Sequence, residues 1–120
     1  MKLPGPDHPI TVTPSKSRVR VRFAGKIVAD TKRALVLTEA SYRPVFYIPR
    51  DDADMSAFKR SNHQTHCPYK GDASYFSLEV DGQHSDNAVW SYETPYPAMQ
   101  EIAGRLAFYR DRVEIEESAG

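Results

Sequence analysis

The feature that most constrains the fold of this chain is a strict alternation of charged and apolar residues. Between Arg18 and Phe23, arginines alternate with valine and phenylalanine, so that every second side chain is apolar. Side chains in a strand repeat with a period of two, so this pattern predicts a half-buried β-strand. The turn-forming pair Ala24-Gly25 and the segment Lys26–Asp30 predict an antiparallel partner.

Further short segments rich in β-forming residues are separated by turn residues, and nine prolines break up the chain. We predict strands within Ala34–Thr38, Val45–Ile48, Ala73–Val80, Ala88–Tyr92, Arg105–Tyr109 and Arg112–Glu116. Seven or eight short strands favour a mainly β fold of bent antiparallel sheets, with one or two short helices, over a layered α/β fold.

The helices are predicted at two places. The segment Asp51–Arg60 begins with acidic and ends with basic residues, which complements a helix dipole. Ala98–Ala103 follows two prolines and precedes a glycine suited to a C-cap. Residues 61–71 have no periodicity and predict a loop. After Asp81-Gly82 a longer loop is favoured over a tight hairpin, because the next apolar run begins several residues later.

The length of 120 residues predicts one domain with a single-domain core. Residues 1–17 are rich in proline and are predicted to form an extended arm. Residues 18–117 form the β-rich domain and residues 118–120 a short tail.

Charge and cysteine content limit the function. Sixteen basic and sixteen acidic residues give a net charge of zero, which argues against a nucleic-acid or anionic-membrane partner. The single cysteine precludes an intrachain disulfide and fits a reducing compartment such as the bacterial cytosol. No apolar run suits a signal peptide or a membrane helix, so we expect a cytoplasmic protein. The oligomeric state is open.

The best candidate site is the segment Thr65–Gly71, which contains Cys67 and Lys70 as candidate catalytic residues. A lysine three residues from a thiol can stabilise the thiolate, which is the nucleophile. The competing interpretation is a buried, inert cysteine beside a turn, because free cysteine is among the most buried residue types.

A metal site is the other chemistry that this segment suggests. His63, His66 and Cys67 lie within five residues, but a closed zinc site needs four ligands. Exposed or loop-capping histidines are the simpler interpretation. We therefore expect no metal and no cofactor.

Aromatic residues form the second group of candidates, because they supply a broad apolar face and, in tyrosine, a polar tip. The candidate ligand-binding residues are Tyr47, Tyr69, Tyr75, Trp90 and Tyr92, with the carboxylate Glu39. The alternative is that most of them pack the core. The arginines of Arg18–Arg22 suggest phosphate binding, but the charged face of an amphipathic strand is usually solvated.

Several segments carry a resemblance to a known family: Val45–Pro49, Cys67–Gly71 (CPYKG), Ala73–Phe76, Ala88–Glu93 with Pro95, Ile102–Gly104 and Ala107–Tyr109. Together they resemble the bacterial domain-of-unknown-function family 427. The resemblance spans roughly Arg18 to Glu116. It implies a fold similar to the β-tent (Mss4-like) architecture, in which two antiparallel sheets meet around a groove. The paired C-x-x-C motifs that hold zinc in relatives of that fold are missing from this chain.

The family also bears a provisional nucleotidyltransferase label, but the paired acidic metal ligands in a Gly-Ser context that such enzymes need are not found in this sequence. The leading hypothesis is a domain that binds a small molecule in a groove walled by Tyr47, Tyr75, Trp90 and Tyr92, with Cys67 and Lys70 at one end. One alternative is a non-catalytic protein-interaction module. Another is nucleotide binding or transfer.

Overall fold

A computed structural model describes all residues from Met1 to Gly120. It contains ten strands and three short 3-10 helices, η1 (Arg50–Asp52), η2 (Met55–Ala57) and η3 (Pro97–Ile102). The strands are β1 (Ile10–Pro14), β2 (Ser17–Phe23), β3 (Lys26–Thr31), β4 (Leu35–Glu39), β5 (Val45–Tyr47), β6 (Phe58–Cys67), β7 (Gly71–Val80), β8 (Gln83–Ser91), β9 (Ala107–Phe108) and β10 (Glu114–Ala119). The predicted mainly β class is confirmed.

The strands form three antiparallel sheets, one more than the resemblance implied. Sheet I has the order β1-β4-β5, sheet II the order β10-β2-β3, and sheet III the order β6-β7-β8-β9. None of the helical segments has the length and hydrophobicity needed to cross a bilayer.

Strand β7 is buried on both faces. Ala73 and Tyr75 point to one side of sheet III, and Phe76, Leu78 and Val80 contribute to a separate apolar cluster. The cluster that contains Phe76, Leu78 and Val80 is the first core. It joins sheets II and III and includes the buried residues Val19 and Val21 of β2 and Val89 of β8. The second core joins sheets I and III, where Leu37, Tyr47 and Tyr92 pack with η3.

The predicted alternation of β2 is confirmed, with its valines fully buried and its arginines on the opposite face. Arg18 donates two hydrogen bonds to Asp30 of β3, at 2.8 and 2.7 Å. Arg22 pairs with Glu116 of β10. The arginine stripe therefore faces acidic partners on both neighbouring strands.

The helix predicted over Asp51–Arg60 is wrong. Two single 3-10 turns occupy its first part, and β6 begins at Phe58, which pairs with Leu78 of β7. The apolar contacts of Phe58 in the first core outweigh the weak helical preference of a ten-residue segment.

The loop predicted over residues 61–71 is also wrong. Strand β6 extends to Cys67 and pairs with β7 through Cys67↔Gly71, leaving a turn of only three residues. β6 is an edge strand with mostly exposed side chains, so it lacks the apolar alternation by which strands are predicted.

The longer loop predicted after Asp81-Gly82 is a two-residue hairpin. Val80 pairs directly with Gln83, and Asp81 and Gly82 have φ of 49° and 80°. Positive φ at both positions is the signature of a type I′ turn, which matches the twist of the flanking strands. The first half of β8 is polar, so the sequence has no apolar alternation there from which this pairing could be predicted.

The segment predicted as an extended arm, residues 1–17, contains β1, which pairs along its full length with β4. The helical stretch predicted at Ala98–Ala103 corresponds to η3, and Gly104 follows it with a φ of 72°.

The double-sided burial of β7 yields a stability prediction. Leu78 is fully buried, and its truncation in Leu78→Ala should lower the free energy of unfolding by about 2–5 kcal/mol, because the cavity cannot collapse completely. The neighbouring Glu79→Ala, at an exposed position, should change it by less than about 0.5 kcal/mol. Urea unfolding followed by circular dichroism measures both, and equal losses would contradict this account of β7.

Candidate functional site

A pocket of about 280 Å³ opens beside the second core. Its walls are mainly apolar, with six aromatic residues, two aliphatic residues and three charged ones. The aromatic residues are Tyr42, Tyr47, Tyr75, Trp90, Tyr92 and Tyr109. The aliphatic residues are Leu37 and Val45, and the charged ones are Glu39, Arg43 and Lys70.

Strand periodicity places these side chains on facing surfaces. In sheet I, Leu37 and Glu39 are two residues apart on β4, and Leu37 lies opposite Val45 of β5. In sheet III, Tyr75 of β7 lies opposite Trp90 of β8. Residues opposite each other across a strand pair share a face of the sheet, so each sheet presents one wall of the pocket.

The polar end of the pocket is built around Glu39. One carboxylate oxygen accepts a hydrogen bond from Lys70 Nζ at 2.5 Å, and the other lies 2.8 Å from His8 Nε2. The side chains of Glu39 and Lys70 are only 14% and 9% exposed. Lys70 Nζ also lies 5.7 Å from the ring centroid of Tyr92. A charged pair is therefore held at the inner, aromatic end of the pocket.

The ionisation of Glu39 follows from this geometry. Burial opposes the charged form, but the hydrogen bonds from Lys70 and His8 together outweigh it, so the pKa of the Glu39 carboxyl lies below its ordinary value. Glu39 is consequently a carboxylate at neutral pH, and Lys70 has a fixed anionic partner.

The turn between β6 and β7 directs Lys70 inward. Gly71, which follows this turn as the first residue of β7, has a φ of 110°, a conformation that side chains disfavour. A Cβ on Gly71 would lie 3.5 Å from the backbone nitrogen of Tyr96, which donates a hydrogen bond to the Lys70 carbonyl at 2.9 Å. The glycine and this bond hold the turn against the segment that precedes η3, and Lys70 is buried there.

Two predicted site residues do not line the pocket. Cys67 is half-buried and packs against the second core, with its Sγ 3.6 Å from Lys70 Nζ. Tyr69 stacks on His8, with ring centroids 4.1 Å apart and planes 8° from parallel. Tyr69 therefore supports the histidine that contacts Glu39.

Three tyrosines of the pocket lining, Tyr47, Tyr92 and Tyr109, have raised pKa values. Burial raises the pKa of Tyr47 and of Tyr92 above the ordinary tyrosine value. The Tyr47 hydroxyl accepts a hydrogen bond from Trp90 Nε1 at 3.3 Å. Burial and the hydrogen bond with Tyr75, at 3.3 Å, raise the pKa of Tyr109 to about 12. These hydroxyls are neutral hydrogen-bonding groups at physiological pH.

The candidate metal ligands have other contacts. The His63 ring packs edge-on against Tyr75 at 4.5 Å, and His66 Nδ1 lies 2.7 Å from Asp72. No group of three or more histidine, cysteine or acidic side chains is arranged to hold a metal ion.

The structure thus brings together most of the predicted site residues, and it adds others. Glu39, Lys70, Tyr47, Tyr75, Trp90 and Tyr92 all line the pocket. The sequence interpretation missed Leu37, Tyr42, Arg43, Val45, Tyr109 and the supporting His8. Strand alternation from Glu39 back to Leu37, and from Tyr47 back to Val45, is the signal that would have identified the aliphatic wall.

The Glu39–Lys70 pair predicts non-additive stability. Lys70→Met leaves a largely buried carboxylate with one partner fewer, so we expect the free energy of unfolding to fall by about 3 kcal/mol. The double variant Glu39→Gln/Lys70→Met should lose clearly less than the sum of the single variants, because neither charge is left uncompensated. Urea unfolding of the four proteins measures the coupling, and strictly additive losses would contradict a coupled pair.

The depressed pKa of Glu39 predicts a pH dependence. A carboxyl whose folded pKa is lowered stabilises the protein fully above its unfolded pKa, and this contribution is lost as the pH falls through the folded value. The stability advantage of the wild type over Glu39→Gln should therefore shrink between about pH 6 and pH 3. Urea midpoints across that range measure it, and a constant difference would show that Glu39 titrates alike in the folded and unfolded chain.

Comparison with known proteins places the chain in a family. No curated protein matches it. A family model described as a domain of unknown function (DUF427), with the label NTP_transf_9, matches residues 11–119 and so covers nearly the whole chain from β1 to β10. The match agrees with the resemblance carried by the CPYKG turn and the aromatic strands, and the chain belongs to the DUF427 family.

Proposed function

We propose that this protein binds a small planar molecule in the pocket between sheets I and III. The observation that carries the proposal is the combination of aromatic walls with a fixed Glu39–Lys70 pair at the inner end. Ligand pockets are typically apolar clefts with a few placed polar groups, and this pocket has that composition.

The size of the pocket limits the ligand. Pockets for drug-sized molecules begin at about 300 Å³, whereas a cavity of about 150 Å³ holds benzene. A volume of about 280 Å³ suits one ring or two fused rings. Trp90 and the five tyrosines of the lining supply aromatic surface around such a ring, which favours an aromatic or conjugated ligand.

The hydrogen-bonding capacity of Lys70 adds a second requirement. An ammonium group has three N–H donors. The Glu39 carboxylate takes one at 2.5 Å, and the Cys67 sulfur lies within reach of another at 3.6 Å. The remaining donor supports binding of a ligand acceptor such as a carbonyl oxygen or a ring nitrogen.

A catalytic role for Cys67 has weaker support than binding. The thiol lies beside Lys70 but outside the pocket lining, and the shortest contact of Lys70 is with Glu39. A reactive thiol predicts rapid labelling by iodoacetamide at neutral pH that slows in Lys70→Met. Labelling of the folded wild type no faster than that of free cysteine would reject the nucleophile.

The other two candidate functions have fewer supporting observations. A protein-interaction module needs a contiguous exposed apolar patch, and at the pocket only Tyr42 and Tyr109 are large exposed hydrophobic residues. Nucleotide binding by the arginine stripe competes with the existing ion pairs of Arg18 and Arg22.

Filling the pocket tests the proposal. Val45→Phe adds a ring to the pocket wall, so it should weaken binding of one- and two-ring aromatic fragments at least about tenfold, or ~1.4 kcal/mol. Ligand-detected NMR with indole, quinoline and benzimidazole measures binding. Trp90, the only tryptophan, gives an independent fluorescence signal.

The matched control is Ile27→Phe, which adds the same ring at an exposed position on β3. We expect this variant to bind fragments as the wild type does. Absence of fragment binding to the wild type, or equal binding by Val45→Phe, would reject the pocket as the ligand site.

A further inference from the structure

Two arginines beside the pocket, Arg43 and Arg110, have no acidic partner. Arg43 forms neither an ion pair nor a side-chain hydrogen bond, although it lines the pocket and is exposed. Arg110 donates one hydrogen bond, to the Pro44 carbonyl at 3.2 Å, and forms no ion pair. Most other arginines of the chain are paired with carboxylates, namely Arg18, Arg20, Arg22, Arg33, Arg50 and Arg60.

These two arginines line a cleft that adjoins the pocket. The cleft has a volume of about 330 Å³ and is lined by both guanidinium-bearing residues and by Phe108. It shares four lining residues with the aromatic pocket, namely Arg43, Val45, Trp90 and Tyr109. A molecule whose ring enters the pocket can therefore extend toward the arginines.

The positive charges are close enough to oppose each other. Burial and the charge of Arg43 both lower the pKa of Arg110, and Glu117 acts in the opposite direction. Asp111 also lines the cleft. Neither acidic residue forms an ion pair with Arg43 or Arg110, so both guanidinium groups keep donors for another anion.

Arg110 is also held in place before any ligand arrives. Its guanidinium carbon lies 5.8 Å from the ring centroid of Phe46, and its hydrogen bond fixes it to the loop that carries Arg43. A guanidinium ordered in this way loses little entropy on binding and can present two donors to a carboxylate or phosphate.

At the inner end of the pocket, Glu39 and Lys70 offset each other, so the two arginines decide the charge preference of the site. We propose that Arg43 and Arg110 form an anion subsite, an inference that rests on the proposed function. The ligand is then a planar ring compound bearing a carboxylate or phosphate group, with its ring in the aromatic pocket and its anion between the two guanidinium groups.

Three probes with the same ring test this subsite: benzyl alcohol, benzoate and phenyl phosphate. Their affinities are measured by ligand-detected NMR at low salt and again at high salt. Both anions should bind about tenfold more tightly than the alcohol at low salt, and this advantage should fall as salt screens the charges of the two arginines. Tighter binding of phenyl phosphate identifies a phosphate ligand, and tighter binding of benzoate a carboxylate.

The variant Arg43→Gln should remove most of the preference for the anions over benzyl alcohol, because one of the two guanidinium groups of the subsite is lost. Arg110→Lys keeps the charge but not the planar donor pair, and should lose part of the preference. Lys59→Gln removes one positive charge at an exposed position outside the cleft and should change nothing. The melting temperature of each unliganded variant reports whether the fold is intact.

The outcomes separate the two proposals. Binding of all three probes with equal affinity, or a preference that survives in Arg43→Gln, would overturn the anion subsite while leaving the aromatic pocket in place. Binding of none of the probes would overturn both.

Discussion

The double-sided burial of β7 is the constraint on which the rest of the molecule depends. A strand has two faces, and β7 covers one of them with Phe76, Leu78 and Val80 and the other with Ala73 and Tyr75. Sheet II packs against the first face and sheet I packs near the second, so one strand holds together two apolar clusters. The pocket forms beside the second cluster, which contains three buried tyrosines, whereas the first cluster contains none.

The same strand determines what the CPYKG turn does. β7 begins at Gly71, and the pairing of Cys67 with Gly71 places the turn at the edge of the second core. Lys70 then reaches the Glu39 carboxylate of β4, which links sheet III to sheet I by a charged contact. In the structure, the turn is first a device for positioning Lys70. Cys67 of the turn contacts Lys70 through its Sγ atom, 3.6 Å from Lys70 Nζ. Tyr69 stacks on His8 outside the pocket.

The arginines of this chain show how sheet register decides which guanidinium groups are free to bind another anion. On β2 they lie beside acidic residues of β3 and β10, which neutralise them. Arg43 and Arg110 lie in connections between strands, where no such carboxylate is brought opposite them. A net charge of zero for the whole chain therefore coexists with a local excess of positive charge at the pocket mouth. Partner classes are better judged from such local imbalance than from the total.

The sequence by itself determined the mainly β class, the orientation of β2, and most of the aromatic wall. These follow from residue type and from a period of two, which are local properties of the chain. The edge strand β6 and the hairpin at Asp81-Gly82 could not be predicted in the same way, because polar strands carry no burial pattern. Only the tertiary structure decided that Glu39 meets Lys70 across 31 residues, and that Arg43 and Arg110 share a cleft. Such contacts depend on which sheet faces which, and that arrangement is decided by the packing of β7 between two cores rather than by any local pattern.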